Sequence, residues 1–289
     1  MQINKDSKYY NTAWSLSTVG RFPFCFHHGC VGSGKSYSTI MGVGLWCQHM
    51  QTLGITGLNI VLAGKTQGTV KKNICNVLAD MFDNNFKYDA SRTDGKSKDG
   101  ILFGQYLYFV GFNDKNAEQR IRGISEICGV LHDECTLCTE EQWLLLTARM
   151  RGDWSRFNIP DCYNIPWYIG TCNPDSPNHF IKRMIDEGGI YHSLKWLPKD
   201  AVWPGADDWY EQRRQLFKYN PLLYDRFING NWVMADGIVY KSFDASRNVI
   251  DASDYKIEYG KWERLFIACD LGQNHPTGVV MVGHILRLL

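Results

Sequence analysis

Short apolar runs of strand length alternate along the chain with segments whose apolar positions recur every three or four residues. The helical spacing is clearest in Gly68–Phe82, where one face carries Val70, Ile74, Val77, Leu78 and Met81. The predicted strands are Phe22–His28, Asn59–Ala63, Ile127–His132 and Trp167–Cys172. The further predicted helices are Lys35–Leu53, Thr139–Met150, Pro177–Glu187 and Asp207–Tyr219. This alternation predicts an α/β fold with a mostly parallel central sheet flanked by helices.

Two parts of the chain depart from this alternation. Ile101–Phe112 predicts a hairpin that turns near Gly104-Gln105, after a polar, turn-rich stretch. Beyond Asn229 the pattern changes to turns and short strands, and Arg264–Asp270 begins a new strand with no helix layer behind it. We therefore expect a second structural unit near the carboxyl end.

Composition narrows the class of protein. The 289 residues are 44% hydrophobic, 13% aromatic and 21% charged, which excludes disordered and low-complexity chains. The length favours about two domains. Lys+Arg 31 against Asp+Glu 30 gives a net charge of +1, so any contact with nucleic acid has to come from a local patch.

The lack of a recognisable targeting signal and the placement of the cysteines predict a cytoplasmic protein. The N-terminal stretch is polar and lacks the apolar core of a signal peptide, and no apolar run is long enough to span a membrane. The 10 cysteines are scattered and mostly lie in apolar runs, whereas a secreted disulfide scaffold is shorter and has its cysteines in loops. We expect reduced thiols and no membrane partner.

A phosphate-binding loop is predicted between the first strand and the first helix, where the spacing G-x-x-x-x-G-K-S occurs. Glycines let backbone N–H groups turn toward phosphates, and the helix N-terminus adds partial positive charge. Lys35 can reach the β- and γ-phosphates, and Ser36 can hold Mg²⁺. The alternative is a Gly-rich strand–helix turn without a ligand. The predicted nucleotide-contacting residues are Gly29, Cys30, Val31, Gly32, Ser33, Gly34, Lys35 and Ser36.

An acidic pair follows the apolar strand Ile127–His132. Asp133 is predicted to hold the metal through water, and Glu134 to act as the general base that polarises the attacking water. A glutamate in this place is typical of ATPases and unusual in switch-type GTPases. His132, His27 and His28 are predicted to pack in the core, and the single C-x-x-C after Glu134 is too little for a zinc site.

In these motifs the chain resembles the large terminase subunit of tailed bacteriophages, the ATPase that drives DNA into a procapsid. The resemblance covers roughly residues 20 to 285, and the order of the motifs is more specific than any one of them. In this family an arginine often occupies the place of Gly64. The remaining segments that carry the resemblance are Val61–Thr66, Lys71–Asn73, Tyr106–Phe112, Gln119–Gly123, Thr139–Arg151, Ile169–Pro174, His179–Lys182, Phe227–Trp232 and Asp236-Gly237.

The resemblance implies an ASCE-type P-loop NTPase that uses ATP and Mg²⁺ to translocate double-stranded DNA. The implied partners are DNA, the phage portal protein, the small terminase subunit and further copies of the chain in a ring. The implied location is the cytoplasm of the infected bacterium, docked transiently on the procapsid and absent from the mature virion. Thr171 and Asn173 match the family's coupling motif, at the end of the strand expected beside the P-loop strand.

An arginine finger is also implied, reaching the nucleotide of a neighbouring subunit. The candidates are Arg120, Arg122, Arg149 and Arg151, and Arg122 is our first choice. The alternative for each is a solvated or structural arginine.

The resemblance further implies an RNase H-like nuclease, which uses Mg²⁺ or Mn²⁺ held by several carboxylates. Leu265–Gly272 is similar to its first strand, so Asp270 is its first implied metal ligand. Only 19 residues follow Asp270 and none is Asp or Glu, so we expect a truncated nuclease and no DNA cleavage by this chain alone. The expected domains are an ATPase at 1–235 with a helical linker subdomain near 197–235, a linker at 236–262 and the nuclease start at 263–289.

Two other functions are compatible with the motifs. One is a different P-loop ATPase acting on DNA, of the helicase-like or partition type, although the coupling motif and the nuclease-like strand argue against it. The other is a truncated fragment that binds nucleotide without turnover. Because Lys35 and Glu134 are both present, the sequence shows no sign of active-site decay.

Overall fold

The computed structural model describes residues 22–88, 98–151, 166–234, 264–270 and 278–284. The chain forms two compact units, Met1–Asp236 and Gly237–Leu289. The predicted linker 236–262 and the motif Asp236-Gly237 lie outside the described residues. Among the helices in those ranges, none has the length and apolarity needed to cross a membrane.

The first unit is built on one sheet, to which the described ranges contribute eight strands. They are β1 (Phe24–Gly29), β2 (Asn59–Gly64), β3 (Phe86–Tyr88), β4 (Gly100–Leu102), β5 (Gln105–Gly111), β6 (Ile127–His132), β7 (Trp167–Cys172) and β8 (Tyr191–Trp196). Their order across the sheet is β3-β4-β5-β2-β6-β7-β1-β8. All pairs from β5 to β8 are parallel, and only the β3-β4-β5 edge is antiparallel. The prediction of a mostly parallel α/β sheet is confirmed.

Helices connect these strands. They are α1 (Lys35–Thr52), α2 (Gln67–Val70), α3 (Asn76–Phe82), α4 (Ala117–Gly123), α5 (Glu140–Thr147), α6 (Phe180–Glu187), α7 (Ala206–Phe217) and α8 (Pro221–Phe227). A π-helical turn, Lys71–Cys75, joins α2 to α3. Side-chain caps fix several starts: Thr139 accepts a hydrogen bond from the backbone N–H of Gln142 before α5, and Asn220 accepts one from Leu223 at α8.

The core lies on both faces of the sheet because neighbouring strand residues point to opposite sides. On β2, Ile60 and Leu62 belong to the apolar cluster that includes Trp46 of α1. Val61 and Ala63 belong to the opposite cluster, which includes Ile121 of α4 and Trp143 of α5. Strands covered on both faces are nearly continuous apolar runs, which is why the sequence pattern identified them.

Several details differ from the sequence prediction, which also did not include the short elements β3 and α4. The edge strand β8 was not predicted, because Tyr191–Trp196 contains His192, Ser193 and Lys195 and is half-buried over most of its length. The helix expected over Thr139–Met150 ends at Thr147. The helix expected over Gly68–Phe82 is interrupted by the π turn.

The second unit contributes two described strands, β9 (Arg264–Asp270) and β10 (Gly278–His284). They pair in antiparallel register, with Asp270 opposite Gly278. The predicted strand Arg264–Asp270 is confirmed, and Asp270 is its last residue.

Candidate functional site

Three parallel neighbours deliver the predicted polar residues to one edge of the sheet. β1 leads into the phosphate loop and α1, β6 ends just before Asp133 and Glu134, and β7 ends with Thr171 and Cys172. Because β7 lies between β6 and β1 with all three parallel, their carboxyl ends lie side by side. This edge is where ligands bind in open α/β sheets.

The loop presents the N-terminus of α1 to this edge. Gly34 is the N-cap in a left-handed conformation, with φ 90° and no side-chain cap, and the first turn of α1 contains no acidic residue. The N–H groups at such a terminus attract anions. Gly29 begins the loop at φ 141°, where a Cβ would lie 2.0 Å from the Trp196 carbonyl oxygen, so only glycine fits.

Lys35 is held under the loop by three acceptors. Its Nζ donates to the carbonyl oxygens of Gly29 at 3.3 Å and Cys30 at 2.6 Å, and to Asn173 Oδ1 at 3.1 Å. Burial lowers the pKa of the Lys35 ammonium, and the negative charges of Asp133 and Glu134 oppose this shift. A phosphate arriving at the loop would replace neutral acceptors with a charged one, which makes a stronger hydrogen bond.

Asp133 is the centre of the polar network. Its Oδ1 accepts hydrogen bonds from Ser36 Oγ at 2.9 Å and Thr171 Oγ1 at 2.8 Å. Its Oδ2 accepts one from Asn73 Nδ2 at 3.0 Å. The network therefore joins the loop, the acidic strand, the β7 end and the π turn through one carboxylate.

These oxygens fit Mg²⁺. Ser36 Oγ and Asp133 Oδ1 are hard oxygen donors next to the phosphate loop, and Mg²⁺ is commonly held by one or two carboxylates together with phosphate oxygens and water. Within the described ranges no group of three or more His, Cys, Asp and Glu side chains forms a metal cluster. A site with a single carboxylate and a hydroxyl is the kind that Mg²⁺ shares with a nucleotide.

Glu134 follows Asp133 in a strained backbone conformation. Its φ of 54° and ψ of 49° lie in the left-handed region, which is unfavourable for a residue with a side chain. Burial raises the pKa of its carboxyl, the charge of Asp133 raises it further, and Lys65 and Lys35 oppose the shift. Strain and a raised pKa together are typical of functional carboxylates.

A cavity of about 410 Å³ contains most of these groups. Of the predicted residues, Gly29 and Cys30 are not on its wall and contribute only the carbonyls that hold Lys35. The predicted residues on the wall are Val31, Gly32, Ser33, Gly34, Lys35, Ser36, Asp133, Glu134, Thr171 and Asn173. The further lining residues are Tyr37, Lys72, Asn73, Val77 and Cys172.

One predicted residue of the first unit lies away from this cavity. Arg122 lies near the end of α4 with 63% of its side chain exposed, and it binds Glu118 Oε1 through Nε at 3.0 Å and Nη2 at 2.7 Å. It lines a different cavity from the one at the loop. The predicted metal ligand Asp270 belongs to the second unit, where it is the last residue of β9. The alternative candidate Arg120 is buried in an ion pair with Asp99.

Sequence reasoning missed an aromatic clasp on the phosphate loop, formed by Trp203, Trp209 and Tyr210. Trp203 Nε1 donates to the Gly32 carbonyl at 2.8 Å, and Tyr210 OH donates to the Val31 carbonyl at 2.7 Å. A Cβ on Gly32 would lie 3.0 Å from the Trp209 ring. The number of tryptophans was the signal that the sequence offered, because these contacts span 171 and 179 positions.

The histidines have the packing roles that the sequence predicted. His27 Nδ1 accepts from Trp196 Nε1 at 3.1 Å, and His28 Nδ1 accepts from Trp232 Nε1 at 3.3 Å. His132 Nδ1 bonds Tyr168 OH at 2.9 Å, and burial lowers the pKa of His132 to about 3.

Comparison with known proteins shows the fold. No protein-family model and no curated protein matches the sequence. The large terminase of the thermophilic bacteriophage D6E matches with a TM-score of 0.60 and 22% identity, over 96% of this chain and 64% of that chain. Its complex with ADP matches with a TM-score of 0.60 and 22% identity, over 96% of this chain and 65% of that chain. Its complex with ATP-gamma-S matches with a TM-score of 0.59 and 21% identity, over 96% of this chain and 64% of that chain. This chain has the large terminase fold and spans less than two thirds of the D6E chain.

Proposed function

We propose that this chain is an ATP-hydrolysing motor subunit that moves double-stranded DNA into a procapsid. The observation that carries the ATPase proposal is that one cavity, at the N-terminus of α1, is lined by Lys35, Asp133 and Glu134. Its wall carries hydrogen-bond donors for phosphate groups, oxygen atoms that can bind Mg²⁺ and a carboxylate that can accept a proton from water. The D6E large terminase, which has the same fold, was solved with ADP and with ATP-gamma-S.

Each group has a proposed role in hydrolysis. The N–H groups at the start of α1 bind the phosphates, and Lys35 exchanges its carbonyl acceptors for phosphate oxygens. Ser36 and Asp133 hold Mg²⁺, which would neutralise developing charge on the phosphate oxygens. Glu134 accepts a proton from the attacking water, so that the water oxygen attacks the γ-phosphorus while ADP leaves.

Thr171 and Asn173 are proposed to report the state of the nucleotide. Thr171 bonds the carboxylate that would hold the metal, and Asn173 bonds the ammonium that would hold the phosphates. Loss of the γ-phosphate would change both partners at once, and both residues belong to the end of β7 and the segment after it. Arg122 is proposed as the finger that acts on a neighbouring subunit in a ring.

The DNA-packaging part of the proposal is supported by the fold alone. Its proposed partners are duplex DNA, a portal protein, a small terminase subunit and other copies of this chain, in the cytoplasm of an infected bacterium. A helicase-like ATPase is the competing function, and a strand-displacement assay separates the two. Release of a labelled strand from a forked duplex at the rate of ATP hydrolysis would favour the helicase.

Steady-state ATP hydrolysis tests the ATPase proposal. The wild-type chain should hydrolyse ATP with Mg²⁺, whereas Lys35→Ala and Glu134→Gln should lose at least about 100-fold in turnover. Arg214→Ala, which removes an exposed ion pair with Glu211 on α7, is the control and should retain the wild-type rate. A wild-type rate no higher than that of the two site variants would mean that the chain binds nucleotide without turnover.

Asp270 is proposed as a metal carboxylate of a nuclease-like second unit. The support is its place as the last residue of β9 together with the resemblance of this strand to an RNase H-like domain. Titration with Mn²⁺ in the absence of nucleotide tests it, in an Asp133→Asn background that removes the carboxylate proposed for the other cation site. Loss of a Mn²⁺-binding step in Asp270→Asn supports the assignment, and identical titrations contradict it.

A further inference from the structure

Asn73 donates a hydrogen bond to the carboxylate of Asp133, which also accepts hydrogen bonds from Ser36 and Thr171. Its Nδ2 donates to Asp133 Oδ2 at 3.0 Å, while Ser36 and Thr171 both donate to the other oxygen, Oδ1. Asn73 also lines the 410 Å³ cavity. The sequence motif that contains Asn73 assigned it no role.

The π-helical turn explains how Asn73 comes to this place. Lys71–Cys75 interrupts the helix between α2 and α3, and such turns add a residue to the helix and are frequent at functional sites. The next two residues, Ile74 and Cys75, are buried in the core and fix the turn on the sheet. At the start of the same connection, α2 packs closely on β2. A Cβ added to Gly64 of β2 would lie only 3.1 Å from the Val70 side chain of α2.

A carboxylate that accepts bonds on both oxygens cannot rotate freely about its Cβ–Cγ bond. The amide of Asn73 occupies Oδ2 and leaves Oδ1 directed to Ser36 and Thr171. Partners of this kind orient metal-binding carboxylates, and removing them commonly costs 10- to 100-fold in metal affinity or activity. The amide is also neutral, so it orients Asp133 without competing for the cation as a second carboxylate would.

We propose that Asn73, presented by the π turn, is a positioning residue that orients Asp133 for the metal–nucleotide complex. The inference rests on the proposed function, since it assumes that Asp133 and Ser36 hold the cation. It adds a fourth element, the connection after β2, to a site otherwise built from β1, β6 and β7.

The test measures cation binding without turnover. Wild type and Asn73→Ala are titrated with Mn²⁺ in the presence of ADP, with protein-bound Mn²⁺ followed by electron paramagnetic resonance. Asn73→Ala should require about tenfold more Mn²⁺ for half-occupancy. Binding of a fluorescent ATP analogue in excess EDTA should stay within about twofold of wild type, because the phosphate loop is untouched. Asn73→Gln, which keeps the amide donor, should recover part of the loss.

Asn76→Ala is the matched control, since Asn76 is an exposed asparagine on the same connection and does not line the cavity. Unchanged Mn²⁺ binding in Asn73→Ala, or an equal loss in Asn76→Ala, would overturn the proposal. An equal loss of analogue binding in EDTA would also overturn it, because the effect would then be structural. If the wild-type chain binds Mn²⁺ and ADP but hydrolyses no ATP, the proposed function fails. The Mn²⁺ titrations still decide the role of Asn73, because they measure binding without turnover.

Discussion

The left-handed backbone of Glu134 lies directly after a buried strand and next to a charged neighbour. A non-glycine residue at φ 54° costs about 1 to 3 kcal/mol, so the surrounding fold has to hold it there. Because the strain coincides with the carboxylate proposed as the general base, stability and activity should respond in opposite directions at this position. Glycine relieves the strain and removes the carboxylate in one change.

Glu134→Gly should therefore be more stable than Glu134→Ala by about 1 kcal/mol in free energy of unfolding, while both lose ATP turnover. Urea denaturation of the two variants measures the difference. The matched pair Glu211→Gly and Glu211→Ala, at an exposed position in the middle of α7, should show the opposite order, because glycine destabilises a helix interior. The same order at both positions would contradict the interpretation of strain at Glu134.

His132 couples the stability of the core to pH. Burial lowers its native pKa to about 3, whereas in the unfolded chain the pKa is about 6.5. As the pH falls below about 6.5, His132 binds a proton in the unfolded state but not in the native state. The free energy of unfolding therefore falls. This histidine should contribute a loss of about 2 kcal/mol between pH 7 and pH 5.

Denaturant unfolding of wild type and His132→Asn at both pH values, in EDTA, measures that contribution. The variant should be less stable at pH 7, because Tyr168 OH loses its partner, but its stability should fall less steeply with acid. Equal pH slopes for the two proteins would show that His132 is not held neutral in the native state.

At the scale of elements, the aromatic clasp connects α7 and the segment before it to the phosphate loop. Trp203 and Tyr210 bind consecutive loop carbonyls, and the Val31 N–H donates to the Phe227 carbonyl of α8 at 2.9 Å. The helical pair therefore determines the shape of the loop before any ligand is present. A preformed loop binds phosphate with a smaller entropic cost.

Tyr210→Phe should lower the free energy of unfolding by about 1 kcal/mol, because the half-buried Val31 carbonyl loses its donor. The affinity for ATP-gamma-S should fall several-fold, since the loop is less well ordered. Thermal unfolding and a nucleotide titration measure the two effects. Tyr219→Phe, at an 85% exposed position just beyond α7, is the control and should change neither quantity.

The elements of the site differ in how far the sequence could predict them. The phosphate loop was predictable because its eight residues are consecutive and their chemistry depends on local backbone geometry. Asp133 and Glu134 were predictable because they follow an unbroken apolar strand. The π turn could not be predicted, since the apolar spacing of Gly68–Phe82 fits an ordinary helix equally well.

Long-range contacts set the limit of the sequence reasoning. The bond between Asn73 and Asp133 joins residues 60 positions apart, and that between Tyr210 and Val31 joins residues 179 apart. Neither side chain has a spacing that indicates its partner. Strand β8 was not predicted because an edge strand with polar residues has no continuous apolar run. It nevertheless pairs directly with β1, the strand before the phosphate loop.

At the scale of the whole molecule, the described part of the chain places no arginine of the finger type on the wall of the candidate site. Among the lining residues of the 410 Å³ cavity, all within the described ranges, there is no arginine. Arg122 is exposed on another surface, where it could reach a neighbouring copy. In the ring that we propose, each nucleotide would therefore depend on two subunits.

Subunit mixing tests this dependence. Arg122→Ala and Lys35→Ala should each be inactive in the assembled motor, but their mixture should recover ATPase activity, because intact sites then meet intact arginines. Arg183→Ala, another exposed arginine paired with a glutamate, is the control and should stay active alone. A mixture no more active than its inactive components would falsify the assignment of Arg122 as a finger in trans.

The central claim, an ATP-driven motor that packages duplex DNA, is tested most directly by DNase protection. Procapsids, linear duplex DNA and ATP are incubated with the chain and then treated with DNase. We expect protected DNA with the wild-type chain and none with Glu134→Gln, although that variant still binds nucleotide. Equal protection by both proteins, or none with a wild-type chain that hydrolyses ATP on the procapsid, would contradict it.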